Sequence, residues 1–177
     1  MLGLERDLVR LEPYNYNWSM LFDKEQELLC SQLKNLIIKI EHVGSTSIQG
    51  LPAKPIIDIA IGVNSFDKVM RIKEKVGKIG YSEIPVSIGG KHVFVKYEGD
   101  KITHFLHLMI YDQDLWRDQI CFRDYLRSSP ESRMKYIKIK EELANKYQND
   151  VVSYTNEKKK FVDDILKKAK KFYDEKS

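Results

Sequence analysis

A chain of 177 residues with 42% apolar and 32% charged content has the composition of a soluble globular protein, long enough to bury a core, and predicts one domain over 1–177. Its net charge of +4 is modest, no apolar run approaches the roughly 18 residues that cross a bilayer, and the opening MLGLERDLVRLEP lacks the apolar stretch of a secretory signal, so a cytoplasmic location is expected. Cys30 and Cys121 stand far apart without CxxC spacing, which argues against a zinc ribbon or a disulfide scaffold and predicts two buried free thiols.

Residues 8–11, Leu-Val-Arg-Leu, predict a short strand that ends at Pro13. Asn17 is a candidate cap for a helix over 18–34, in which Leu21, Phe22, Leu28, Leu29 and Leu33 form one apolar stripe, with Tyr14 and Trp18 as a staple onto the core. The β-branched run 37–43 predicts a strand, a loop follows through Gly50, Pro52 and Pro55, and 56–63 predicts a second strand apolar enough to be covered on both faces. A helix over 66–79, capped by Ser65 and closed by Gly80, leads into strands over 81–86 and 92–97 joined by a turn at Gly89-Gly90. After a strong strand over 102–111 the pattern turns helical, over 114–126, 130–147 and 155–173. The expected fold class is mixed α/β (α+β), with a helical C-terminal third.

Chemistry concentrates in 41–63, EHVGSTSIQGLPAKPIIDIAIGV. A lone carboxylate, Asp58, interrupts an apolar strand, and burying it is costly unless a positive or hydrogen-bonding group meets it. The preceding turn Gly44-Ser45-Thr46-Ser47 is built from small residues, which let backbone N–H groups approach a phosphate. A carboxylate nearby can hold a divalent cation against phosphate oxygens, and Lys54 lies four residues before it. Positioning and charge neutralisation are most of what phosphoryl or nucleotidyl transfer requires.

EHVGSTSIQGLPAKPIIDI resembles the signature of the GrpB family, bacterial proteins related in fold to nucleotidyltransferases. The similarity extends over Pro13-Tyr14 with Trp18, Leu106-His107-Leu108, the segment FRDYLR at 122–127, Tyr136 with Lys140, and Tyr154 with Lys158 and Phe161. The resemblance implies a nucleotidyltransferase-like mixed β-sheet with flanking helices and a nucleotide or phosphorylated small molecule as ligand. It places Gly44 and Ser45 at the Gly-Ser turn and Asp58 at the first metal-binding acid. The second acid of active nucleotidyltransferases falls at Ala60, which points the same way as Asp58 and removes half of a two-metal cage. His107 stands where many of these enzymes carry a third acid. An Asp58–His107 pair is then a candidate site for one divalent cation, Mg, Mn or Zn, or His107 is a general base.

Each of these residues also has a purely structural reading. His107 and His104 read as core histidines, with His104 able to join the site only through a bulge, and His92 reads as an exposed strand residue. His42 either orients the turn or touches a phosphate. Lys54 is an anion ligand or the partner that neutralises Asp58. Arg123 pairs with Asp124 at the helix edge, or Arg123 or Arg127 closes over a phosphate with a planar fork. The C-terminal lysines are interleaved with Glu and Asp, which reads as a solvated face in preference to a nucleic-acid surface. A module that binds a nucleotide without transferring it is the alternative to an enzyme.

Overall fold

The computed structural model describes residues 2–85 and 90–174. Six strands form one mixed sheet: β1 (Leu4–Glu5), β2 (Lys39–Val43), β3 (Ile57–Val63), β4 (Tyr81–Ile84), β5 (Lys91–Glu98) and β6 (Lys101–Ile110). The order is β2-β3-β6-β5-β4, with β1 paired to β6; the β3–β6 pair is parallel and the others are antiparallel. Among the described residues five α-helices accompany it: α1 (Asn17–Leu33), α2 (Val69–Gly77), α3 (Asp114–Ser128), α4 (Pro130–Lys146) and α5 (Val151–Asp174). The mixed α/β class and the helical C-terminal region are as the sequence predicts. Among the described residues no helix is long and apolar enough to cross a membrane.

Strand β3 organises the sheet because its alternating residues serve two different layers. Ile57, Ile59 and Ile61 are fully buried and pack with Trp18, Phe22, Leu29 and Leu33 of α1 and with Ile72 and Val76 of α2. Each buried isoleucine contributes about 2 kcal/mol of apolar burial. The opposite face carries Asp58 and Ala60, and there Ala60 and Val43 pack on Met109 and Trp116. Helices α3, α4 and α5 pack on one another and complete this second layer through a cluster of Leu126, Tyr136 and Ile165 with Ile48 and Leu51.

Several expectations shift. Residues 8–11 form no strand; the extended pairing there is a single bridge of Glu12 with Ala53. Asn17 is the first residue of α1 and not its cap: Tyr16 holds the N-cap position without a side-chain cap bond, and Asn15 Oδ1 in the preceding turn accepts from Asn17 N at 2.9 Å. Helix α2 begins three residues late because Ser65 is spent on Asp67 in the turn before it. Helix α5 begins at Val151, where Asp150 Oδ1 accepts from Ser153 N at 2.9 Å. Ser129 caps α4, its side chain accepting from Ser132 N, with Pro130 at the first helical position. Cys30 is exposed and Cys121 half-buried, so neither thiol is a core residue. His92 is half-buried against Glu83 at 2.8 Å and is not a free surface residue. Val86 and Gly89, assigned to a strand end and a turn, lie outside the described residues.

Candidate functional site

Asp58, the second residue of β3, stands opposite Val43 of β2, which is one residue before the turn at Gly44. Gly44 has φ +68° and ψ −172°, and a Cβ built on it would stand 2.4 Å from Asp58 Oδ2 and 2.9 Å from Asp58 Cβ and Cγ. Glycine is therefore required twice there, by backbone conformation and by the carboxylate pressed against it. The next three residues form a 3-10 turn whose first internal bond runs from Ser47 N to Gly44 O at 3.3 Å, so the N–H groups of Ser45 and Thr46 precede it.

His107 Nε2 lies 3.2 Å from Asp58 Oδ1. A carboxylate can only accept, so the imidazole donates through Nε2, and Nδ1 is left as a buried atom with no hydrogen-bond partner. That geometry makes His107 the residue that orients Asp58. Burial pushes the Asp58 carboxyl up, but the His107 hydrogen bond and the charges of His107, Lys54 and Lys158 outweigh it and hold the group below its ordinary range. The side chain remains 32% exposed, so an incoming ligand can still reach it.

Positive charge converges on this acid from three segments. Lys54 comes from the loop before β3, Lys140 from α4 and Lys158 from α5. Lys54 Nζ lies 5.8 Å and Lys158 Nζ 5.0 Å from the Tyr154 ring centre, and Lys140 Nζ lies 5.4 Å from that of Tyr136. Lys140 is 1% exposed and donates to the Pro52 carbonyl. Burial, then the neighbouring lysines, pushes Lys54 down to about 8 and Lys140 well below the usual lysine range, while Asp58 pulls both back up. Burial pushes the Tyr136 hydroxyl up, and the Ser45 side chain partly offsets this, so the turn and α4 face one another here. Lys54 makes no direct ion pair with Asp58. Tyr136, Lys140, Tyr154 and Lys158 were not singled out as site residues from sequence, yet they carry a signal: Tyr-x3-Lys occurs in both helices, and four residues apart puts both side chains on one helical face.

The other expected residues stand elsewhere. His42 pairs in register with Ile59, so it faces α1 and away from Asp58. Its ring stacks on Phe22 at 4.6 Å, and Nε2 lies 3.0 Å from Thr46 Oγ1. Thr46 donates to Ile56 O and so accepts from His42, which orients the turn from behind. Ser47 Oγ donates to Gly44 O at 2.6 Å. Arg123 is 7% exposed and spends its fork on Glu41, Asp124 and the His42 carbonyl at 2.7–3.0 Å, so internal pairing is the arrangement found. The sheet does bulge near His104, with Thr103 left between the Lys96–His104 and Tyr97–Ile102 pairs. His104 nonetheless stays in register with Ile57, on the face away from Asp58.

The sequence and the fold have counterparts. A model of the GrpB protein family matches residues 8–168. The chain belongs to the GrpB family. It is 44% identical over 171 residues to the glutamate-rich protein GrpB of Alkalihalophilus pseudofirmus, covering 94% of this chain and 98% of that one. It is 34% identical to the UPF0157 protein YqkA of Bacillus subtilis, of whose length it spans 48%. Among solved structures, the conserved protein GrpB from Enterococcus faecalis superposes with a TM-score of 0.86 at 31% identity, over 93% of this chain and 99% of that one.

Within this GrpB chain, Ala60 is a core residue and not an open ligand position. It is fully buried beside Val43, Met109 and Trp116. Its cross-strand neighbour Glu41 is an acid on the same face, but Arg123 already neutralises it at 2.7 Å. The donor set at Asp58 thus consists of one carboxylate and one imidazole, and among the described residues no group of three His, Cys, Asp or Glu side chains is placed to hold a metal. Restoring the acid with Ala60→Asp is expected to lower stability by about 2–3 kcal/mol, because the new carboxyl meets apolar walls and a like charge. Urea unfolding at neutral pH measures it; unchanged stability would show that the position is open.

Proposed function

We propose that the Asp58 face of the sheet binds the phosphate groups of a nucleotide or another phosphorylated small molecule. The observation that supports this reading best is the excess of cations around one carboxylate. Lys54, Lys140 and Lys158 converge on Asp58, and none of the three forms an ion pair with a carboxylate there. Keeping ammonium groups partly dehydrated and unneutralised is unfavourable. A polyphosphate relieves that cost, while the Gly44 turn offers backbone N–H groups to the same ligand.

Nucleotidyl transfer is the reaction class we assign to this site. A divalent cation, Mg, Mn or Zn, fits it only in part. Asp58 and His107 would hold the ion, the phosphate oxygens of the ligand would have to complete its shell, and the ion would supply charge neutralisation at the phosphate. The residues of this chain bind and orient: the lysines neutralise, the turn positions, and His107 keeps Asp58 ionised. A second reading, a module that binds without transfer, is favoured by Ala60 and by the commitment of His107 Nε2 to Asp58.

The test is calorimetric titration with ATP, with and without manganese, followed by assay of radiolabel transfer to acceptors. Saturable ATP binding supports the site, and label transfer that Asp58→Asn abolishes supports the enzyme. Binding with no transfer to any acceptor supports the module. Absence of saturable binding overturns both. Affinity is expected to fall as pH rises through about 8, because Lys54 loses its proton there and with it a contact to phosphate. Lys158→Met is expected to weaken binding about tenfold or more at pH 7, the effect of losing one charge-assisted hydrogen bond. Titrations at pH 7 and 9 check the first expectation, and equal affinities would count against Lys54 as a ligand.

A further inference from the structure

The 44–47 turn has two sides, and the second side opens on a cavity that the Asp58 site does not use. The hollow has a volume of about 710 Å³ and is walled by Tyr14, Tyr16, His42, Gln49, Arg127 and Arg133 together with the turn. No acidic side chain lines it. We propose that it is a separate binding site for a small molecule carrying an oxyanion next to a planar ring.

The two guanidinium groups are fixed in advance by the backbone. Arg127 donates through Nε and Nη2 to the Ser47 carbonyl at 3.1 and 2.7 Å. Its remaining nitrogen lies 3.6 Å from Asp124 Oδ1, and that acid is already taken at 2.7 Å by Arg123. Arg133 donates through Nη1 alone, to the carbonyls of Leu126 and Arg127 at 3.1 and 3.2 Å. Its Nε and Nη2 have no acceptor among the described residues. Clamping the last carbonyls of α3 uses only part of its fork, so two adjacent cations keep donors for an oxyanion and need little ordering to receive one.

The ring specificity follows from the mouth of the hollow. Tyr16 is 71% exposed and meets Tyr14 edge-on at 5.2 Å, and Tyr14 meets Trp18 edge-on at 5.6 Å. This ladder holds the outermost ring with one face uncovered beside the arginines. His42, in the wall, is kept neutral by burial, so it adds no charge of its own at neutral pH. Arg127 grips Ser47 and His42 grips Thr46, so an occupant of this hollow touches the residues that shape the phosphate turn from behind.

The full chain is titrated by calorimetry with phenyl phosphate, inorganic phosphate and benzoate. Saturable binding of phenyl phosphate, tighter than that of inorganic phosphate, is expected; tighter binding of benzoate would assign the oxyanion as a carboxylate. Arg133→Gln is expected to weaken phenyl phosphate about tenfold, the effect of one charge-assisted contact. Tyr16→Ala, on an exposed ring that the fold does not need, should weaken phenyl phosphate several-fold and leave inorganic phosphate unchanged. Lys158→Met weakens the Asp58 face, so any phenyl phosphate bound there is lost, while the Arg133- and Tyr16-dependent phenyl phosphate site should remain, which separates this hollow from the Asp58 face. Absence of saturable phenyl phosphate binding overturns the proposal. So does binding that survives both Arg133→Gln and Tyr16→Ala, or binding that Lys158→Met abolishes.

Discussion

Gly44→Ala is expected to destabilise the protein by about 3 kcal/mol or more and to remove the proposed phosphate binding with it. Two independent costs add. The backbone at φ +68° and ψ −172° lies in a region that only glycine occupies without strain, which costs on the order of 1–3 kcal/mol for alanine. The methyl group would also stand 2.4 Å from Asp58 Oδ2, closer than any real contact. Asp58 cannot swing aside cheaply, since its other oxygen accepts from His107 Nε2 at 3.2 Å. Relief therefore requires the turn to move away from β3, and the turn carries Thr46, which His42 holds, and Ser47, whose carbonyl Arg127 holds. Thermal unfolding and ATP titration of the variant measure the two effects. A double-mutant cycle with Asp58→Gly isolates the contact: the second change should restore part of the stability, because it removes the clash, while binding stays lost. Wild-type stability for Gly44→Ala would show that the turn is not pressed on the acid.

The contact between Gly44 and Asp58 illustrates what was legible in sequence and what was not. A Gly-Ser turn and a solitary acid in an isoleucine-rich strand are local patterns, and both fall where the pattern predicts. The face to which a neighbouring residue belongs depends on the register of a pairing that is not local. His42 directly precedes Val43-Gly44, but Val43 is the residue that lies opposite Asp58, so His42 falls opposite Ile59 and behind the turn. The lysines of α4 and α5 look like a solvated face along their helices, and only the packing of those helices brings Lys140 and Lys158 to the sheet. Buried Glu25 of α1 was hidden in the same way. It interrupts an otherwise apolar stripe, and its partners, Lys96 at 2.9 Å and Tyr81 at 3.0 Å, come from strands more than fifty residues away in the chain.

Stability is expected to fall steeply as pH drops from 6.5 towards 4, and two histidines away from the Asp58 face are responsible. His42 and His104 are both pushed down to about 4, in each case first by burial. Asp58 pulls His42 back up against Arg127 and Arg123, and Glu25 pulls His104 up against Lys96, but neither acid offsets the loss of hydration. A histidine depressed in the folded state is neutral there and takes up a proton on unfolding once the pH is below about 6.5. Unfolding is thus favoured progressively between 6.5 and 4, and the loss levels off once the folded form also titrates. The full cost is on the order of 3 kcal/mol for each histidine, a large part of the stability of an ordinary domain. Asp58, held below its ordinary range, adds a further loss only at more acidic pH, as its carboxylate protonates. Urea unfolding from pH 7 to 4.5 measures the slope, which should correspond to about two protons bound on unfolding near pH 5. His104→Leu should remove roughly half of that slope. His42→Gln should remove a similar share and disturb the turn as well, because the wild-type ring donates to Thr46. A flat stability profile across this range would mean that both rings are already charged in the folded protein. The proposed phosphate site would then carry an imidazolium directly behind its turn, and the neutral His42 on which the turn geometry rests would not exist.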